Sequence, residues 1–400
     1  MTPRSLLILA LTVGALTLAS CSDTTTEPDK PPDAEATLAT ATTALAFYQV
    51  SAGGGHTCGI TADNRLYCWG YNYNGQLGDG TTTNKSRPFA VGGALQFRQV
   101  SAAISSGHTC GLTTDYRLYC WGYNAQGQLG DGTTVPRLSP VAVAGGYKFR
   151  SVDGGSSHTC AVGYSDNRAY CWGNNGSGQL GNGTTGGRLV PTAISGTIRF
   201  RQVSTGVDHT CGVSTENRAF CWGGNGEGQI GDSSNATQRL TPVRVATTRR
   251  FRQLDSGRYH ACAVSAADNR AFCWGRGLEG QLGNGKRYLS FWPRAVAGGL
   301  SFDRVSAGAE YTCGETTGNR AYCWGWNVLG MLGDGTTTTR LTPVAVKGNL
   351  FFRQLSAGGG HTCGKTADSV AYCWGSNDSG ELGDGTTTDR LTPRAVAGPM

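Results

Sequence analysis

The phrase His-Thr-Cys stands at residues 56–58 and returns at 108–110, 158–160, 209–211 and 361–363, with His260-Ala261-Cys262 and Tyr311-Thr312-Cys313 as variants. The spacing is 50 to 52 residues throughout. Each copy is followed by Cys-Trp-Gly, then by a phrase of the type Gly75-Gln76-Leu77-Gly78-Asp79-Gly80, and each unit carries a proline near its end, from Pro88 to Pro393. A fixed period of this length is the mark of a repeat architecture, in which one supersecondary unit is copied and stacked. Within the second copy, Phe97–Ser101, His108–Thr113, Arg117–Gly122 and Pro140–Val143 read as four short strands, rich in β-branched and aromatic residues and separated by Gly, Asp and Asn turn signals. They are called a, b, c and d. Seven four-stranded units predict an all-β, seven-bladed β-propeller, whose closure hides most strand edges. A linear β-solenoid is the alternative, but its rungs are usually shorter and no repeat here reads as an atypical cap. Composition agrees. The 62 glycines in 400 residues are about twice the average share, and 15% charged residues is too few for a helical bundle or coiled coil.

Fourteen of the 15 cysteines belong to the repeat, two to a unit: Cys58 and Cys68, Cys110 and Cys120, Cys160 and Cys171, Cys211 and Cys221, Cys262 and Cys273, Cys313 and Cys323, Cys363 and Cys373. With strands b and c forming a hairpin that turns near Asp63, Cys58 and Cys68 fall opposite each other, at a separation a disulfide spans. One disulfide per blade is therefore predicted, which calls for an oxidising compartment. A metal reading, from His56, Cys58 and Cys68, lacks a fourth ligand and fails at Tyr311, so no metal and no cofactor are expected.

The fifteenth cysteine is Cys21. Residues 1–20 carry Arg4, an apolar run from Leu6 to Leu18 and small residues before Cys21, which reads as a secretory signal peptide. Leu18-Ala19-Ser20-Cys21 resembles the bacterial lipoprotein signal, and that resemblance implies a lipidated Cys21. Residues 21–45 are rich in Thr, Ala, Pro and Asp without apolar periodicity, as a flexible tether would be, and 46–400 form the propeller.

The Gly-x-x-His-Thr, Trp-Gly-x-Asn-x-x-Gly-Gln-Leu-Gly and later Pro pattern resembles the regulator of chromosome condensation repeat family. The resemblance covers all seven units and implies a seven-bladed propeller. It implies no single function, because one scaffold serves many surfaces. The cysteine pair in every blade is a departure from most of the family.

Most polar residues fall in columns. The histidines share one, expected to hold the a–b turn by a hydrogen bond. Arg65, Arg117, Arg168, Arg218, Arg270 and Arg320 precede strand c, while Arg137, Arg188, Arg239, Arg340 and Arg390 stand three residues before the proline. Arginines spread in this way are expected to pair with turn carboxylates and carbonyls, and no nucleic-acid partner is expected. The Asp79 column suits an Asx turn. The tryptophans from Trp69 to Trp374 are read as packing between blades.

Function is sought where the repeat breaks. If a runs upward, the a–b and c–d loops share the top. There the breaking residues are Ile104, Arg258, Tyr259, Glu310 and Tyr311 among the a–b loops, and Tyr71, Tyr73, Tyr123, Arg276, Leu278, Trp326, Val328 and Leu329 among the c–d loops. Aromatic, aliphatic and Arg side chains on one rim fit a protein-binding surface. No pair of carboxylates and no Ser-His-Asp or Cys-His set is read as departing from the columns. The expected function is a non-catalytic interaction module, monomeric, exported and lipid-anchored at the bacterial cell envelope, contacting a protein or another envelope macromolecule. The alternatives are a hydrolase or lyase of polysaccharide or cell wall at the propeller mouth, and a structural spacer or adhesin.

Overall fold

The computed structural model describes residues 45–105 and 107–400. The leader, Cys21 and the tether lie outside the described residues. Seven four-stranded antiparallel sheets follow one another along the chain, each made of consecutive strands. In the second blade, a is Phe97–Ala102, b His108–Thr113, c Leu118–Gly122 and d Arg137–Ala142. Strand d begins earlier than its sequence suggested and contains Pro140 instead of starting at it. The proline is tolerated because d is the outer edge strand and its pairing with c skips between Val141 and Arg137.

Strand a is innermost. Neighbouring a strands touch around a central channel, and the first (Phe47–Ala52) lies against strands a and b of the seventh blade (Phe352–Ala357, His361–Thr366). Among the described residues no strand crosses between sheets at this seam, so closure rests on side chains and turns. Four belts provide it. In the first, the fifth residue of each strand a accepts the next blade's N–H, as Ser51 does from Ala102, Asp153 from Thr205, Asp255 from Ala307 and, across the seam, Ser356 from Ala52. In the second, Gln49 clamps both main-chain groups of Val100, and Gln354 clamps those of Val50 across the seam.

The third belt uses the tryptophans. Trp121 Nε1 donates to the Gln76 carbonyl of the preceding blade at 2.9 Å, and Trp69 donates to Glu381 across the seam. All seven of these rings are buried between blades. Truncating such a ring typically costs ~3–5 kcal/mol. The close fit explains one glycine of the Gly-Gln-Leu-Gly phrase: Gly78 has φ +74°, and a Cβ there would sit 2.6 Å from Trp121 Nε1.

The fourth belt corrects the histidine expectation. His56 Nε2 lies 2.8 Å from Thr109 Oγ1 of the next blade, and His361 reaches Thr57 across the seam, so this column joins blades instead of holding its own turn. The direction of the bond follows from the threonine. Thr109 Oγ1 already donates to the Gln76 carbonyl, so His56 must donate through Nε2–H, leaving Nδ1 bare and without a partner. Burial, followed by repulsion from His361, pushes the His56 pKa down to about 3.

One link is missing. Ala261 stands where the other blades place threonine, and His209 Nε2 has no partner. Restoring the hydroxyl with Ala261→Thr is expected to raise stability by about 1 kcal/mol. Urea denaturation measures this, and an unchanged midpoint would show that the gap is already satisfied.

Every predicted cysteine pair is a disulfide. Cys58 is bonded to Cys68, Cys110 to Cys120, Cys160 to Cys171, Cys211 to Cys221, Cys262 to Cys273, Cys313 to Cys323 and Cys363 to Cys373, with Cα–Cα distances of 4.0–4.2 Å. The register explains why. Cys58 sits directly opposite Cys68, with Thr57 opposite Trp69, and the longer b–c turns of the third and fifth blades keep Cys160 opposite Cys171 and Cys262 opposite Cys273. The propeller is complete within 45–400: all seven blades, their disulfides and the seam lie inside that range.

Candidate functional site

The two arginine and aspartate columns of the c–d loops turn out to be partners. Arg137, Arg239, Arg340 and Arg390 pair with Asp131, Asp232, Asp334 and Asp384 at 2.6–2.8 Å. In the third blade Asn182 replaces the carboxylate, and Arg188 turns to the carbonyls of Gly186 and Gly187. Burial alone would raise the Asp131 carboxyl, but hydrogen bonds from Thr133 and Arg137 outweigh it and hold it below the usual carboxylate range. These loops are fixed structure, so the residues they carry are presented by a stiff rim.

The rim is stiffened further by the main chain. Consecutive a–b turns hydrogen-bond to one another: Gly54 N–H to Ala103, Arg258 N–H to Gly308, Ala309 N–H to Gly358 and Gly359 N–H to Gly53. On this end opens a cavity of about 690 Å³, lined among others by Tyr71, Asn74, Gln76, Ile104, Tyr123 and Arg258, with Gly54, Ala309 and Gly359 keeping it open. Four rim residues singled out by sequence therefore converge on one mouth. Ile104 does so with only 8% of its surface exposed. Tyr73 stacks beside Tyr71 with ring centroids 6.5 Å apart and faces solvent.

Others form a second group. Arg276 reaches Glu227 at 3.4 Å and Glu310 at 3.5 Å, and Gln281 donates to Glu310 at 2.7 Å. Burial raises the Glu310 carboxyl above its ordinary value, opposed by Arg276 and Arg258. Arg258 stacks over Tyr259. Leu278 and Val328 are exposed, whereas Trp326 and Leu329 are half-buried against the core of the sixth blade.

Tyr311 is a correction. It was expected on the rim, but its ring is fully buried and its hydroxyl donates to the His361 carbonyl at 2.6 Å. It takes the position of the belt histidine and, like it, faces the next blade, where Gly358 N–H and Thr362 Oγ1 bond to it. A second correction concerns carboxylates. Asp153 and Asp255 do depart from their column, where the other blades have serine, and both line the central channel. Their oxygens are occupied by the closing belt, with Ser101, Ser204, Thr205 and Ala307 as donors. Burial, reinforced by Asp153, pushes Asp255 up to about 7.

The opposite mouth was missed. There an opening of about 420 Å³ is lined by Arg98, Arg150, Arg304, Arg353 and Lys365 together with Tyr48 and three glutamines. The signal was legible, since Phe-Arg recurs at the head of strand a at 97–98, 149–150, 200–201, 251–252 and 352–353. What the repeat did not reveal is that strand a is innermost, which brings Arg98, Arg150 and Arg353 together with Arg304 and Lys365, while Arg201 and Arg252 turn to the carbonyls of Phe251 and Phe302.

A family model described as RCC1-like domain matches residues 12–363, and models of the regulator of chromosome condensation (RCC1) repeat match 352–381 and 368–400. The ultraviolet-B receptor UVR8 of Arabidopsis thaliana is 32% identical over 265 residues, covering 64% of this chain and 59% of the receptor. The E3 ubiquitin-protein ligase HERC2 of Homo sapiens is 29% identical over 282 residues, 67% of this chain but only 6% of the ligase. The chain thus spans less than two thirds of these relatives. Among solved structures, yeast RCC1 (Prp20) bound to Kap60 superposes with a TM-score of 0.74 at 19% identity, covering 84% of each chain. Human WBSCR16 does so with a TM-score of 0.71 at 21% identity, over 78% of this chain and 85% of that one. At these identities the structures share a fold.

Proposed function

The chain belongs to the RCC1-like domain family, and from that premise we propose that it is a non-catalytic binding module that takes a protein partner at the mouth formed by its a–b and c–d loops, exported and held at the bacterial cell envelope through Cys21. The observation that carries the binding site is the convergence of Tyr71, Ile104, Tyr123 and Arg258 on one cavity. These come from three blades, and Tyr and Arg are the residue types that most often dominate interface energetics. That the yeast relative was solved bound to another protein, Kap60, supports a protein as the partner class. Export is supported by seven disulfides and by the leader, and the anchor by the residues around Cys21.

The test uses propeller 45–400 as bait against the native envelope, beside a variant combining Tyr71→Ala, Tyr123→Ala and Arg258→Ala. If each anchor is a hot spot, affinity falls at least about thirtyfold per residue. A captured partner whose affinity is unchanged in the variant refutes this mouth as the site. Mass spectrometry of the exported chain checks the anchor: a diacylglyceryl group on Cys21 is expected, and an unmodified N-terminal peptide continuing through Cys21 refutes it.

A further inference from the structure

The end of the ring opposite the proposed partner site carries charge that the fold leaves unneutralised. Arg98, Arg150, Arg304, Arg353 and Lys365 surround one opening with no carboxylate among the residues lining it. None of the five makes an ion pair with a carboxylate among the described residues. Their polar contacts are neutral: Arg98 lies 4.4 Å over the Tyr116 ring, Arg150 donates to Asn167 and Arg353 donates to Asn319 at 3.4 Å. Such contacts set positions without cancelling charge. Two acidic groups lie near the ring: Glu315, which is buried, pushed up to about 7 by that burial and drawn back by Arg304, and Asp303, which takes the strand-a position of Arg98 and is paired with Arg252 at 3.2 Å. The b–c turn carboxylates lie one strand further out, where Arg117 and Arg218 pair with Asp115 and Glu216.

Exposed aromatic rings share this end. Tyr48 is 60% exposed at the head of the first strand a, Phe351 is 54% exposed before the last, and Tyr147 and Tyr164 stand exposed in the d–a and b–c connections of the third blade. Tyr116 and Tyr164 contact each other, and Arg320 lies over Phe351. Cations with protruding Tyr and Phe suit a lipid–water interface, where the rings enter the headgroup level while the guanidinium groups meet phosphate. A dissolved anion would use the cations and leave the rings in water. The described chain also begins here, with the Ala46 carbonyl accepting the Ala62 N–H of the first b–c turn.

We propose that the d–a end of the propeller docks on an anionic phospholipid surface, with the ring of Arg98, Arg150, Arg304, Arg353 and Lys365 on the headgroup phosphates. The inference rests on the envelope reading above for the membrane it meets. Docked in this way, the opposite mouth faces away from the bilayer, toward a partner.

The test is sedimentation of propeller 45–400, which lacks Cys21, with vesicles of phosphatidylcholine alone or containing phosphatidylglycerol. Binding is expected only with phosphatidylglycerol, weakening steeply as salt rises. A variant combining Arg98→Glu, Arg150→Glu and Arg353→Glu is expected to bind more than about a hundredfold more weakly, because each cation near an anionic surface contributes about fivefold. Tyr48→Ser with Phe351→Ser is expected to bind several-fold more weakly with the salt dependence retained. Salt titration of the unaltered propeller keeps the test open should the charge reversals perturb folding. Equal binding to both vesicles, no binding to either, or displacement from phosphatidylglycerol by a single-stranded oligonucleotide that binds more tightly would each overturn the proposal. Vesicle binding with an unmodified Cys21 would sink the anchor alone. A lipidated Cys21 on a propeller indifferent to phosphatidylglycerol would sink this inference alone.

Discussion

Lowering the pH from 7 to 5 is expected to remove about 3–5 kcal/mol of the propeller's stability. His56, His108, His158, His260 and His361 are buried, and burial pushes each pKa down to about 3. In the unfolded chain they titrate near 6.5. Between those values the unfolded state binds protons that the native state refuses, so stability is lost as pH falls through 6.5. Each histidine accounts for about 2 kcal/mol between pH 7 and 5. Asp255 and Glu315 have the opposite sign. Burial pushes both up to about 7, so their contribution is largest below the ordinary carboxylate pKa and is lost as pH rises through 7. They offset roughly 4 kcal/mol of the histidine effect, and Asp153, also raised by burial, offsets some more. The readout is urea denaturation across pH 5–7 with disulfides intact. His361→Gln should reduce the mean slope over this range by about 1 kcal/mol per pH unit, whatever it does to absolute stability. A stability profile that is flat or rises toward pH 5 contradicts protonation-blocked belts.

Reducing the seven disulfides is expected to leave the chain unable to hold the ring. Each closes a loop of ten or eleven residues and so contributes somewhat under about 3 kcal/mol by the entropy of the unfolded chain. Seven such contributions exceed the ~5–15 kcal/mol by which domains are usually stable. Every one of the fourteen cysteines is fully buried. Reductant alone should therefore act at the rate at which blades open, and reduction should become fast in moderate urea. Removing one bond, with Cys160→Ala and Cys171→Ala together, is expected to lose about 2–3 kcal/mol, read as a shift in the urea midpoint. A reduced, alkylated chain that keeps the native midpoint would refute the assignment of stability to these bonds.

The two effects concern different parts of one design. Disulfides tie strand b to strand c within a blade, whereas the His, Trp, Gln and Ser belts tie each blade to the next. Strand pairing within a blade is local and is readable from β-branched and aromatic runs and the turn residues between them. The belts were not, because a residue such as Thr109 meets His56 only once two blades are laid side by side. The same reason explains Tyr311. Its column partner is a histidine, and tyrosine at a loop boundary reads as rim, yet the inter-blade slot accepts the ring and gives its hydroxyl three partners. Asp153 and Asp255 were overlooked for a related reason. Their departure from serine has meaning only once strand a is known to line the channel.

By itself, the sequence determined the number of blades, the strands in each, the pairing of fourteen cysteines and the residues that break the repeat. These depend on spacing along the chain, and spacing is what a sequence contains. Only the tertiary structure decided which breaks share a place. It put Tyr71, Ile104, Tyr123 and Arg258 on one mouth, withdrew Tyr311 between the sixth and seventh blades and gathered Arg98, Arg150 and Arg353 of the Phe-Arg column with Arg304 and Lys365 at the other mouth. The physical reason is closure: bending seven equivalent units into a circle brings residues tens or hundreds of positions apart within reach, and which strand faces the axis selects which of them meet.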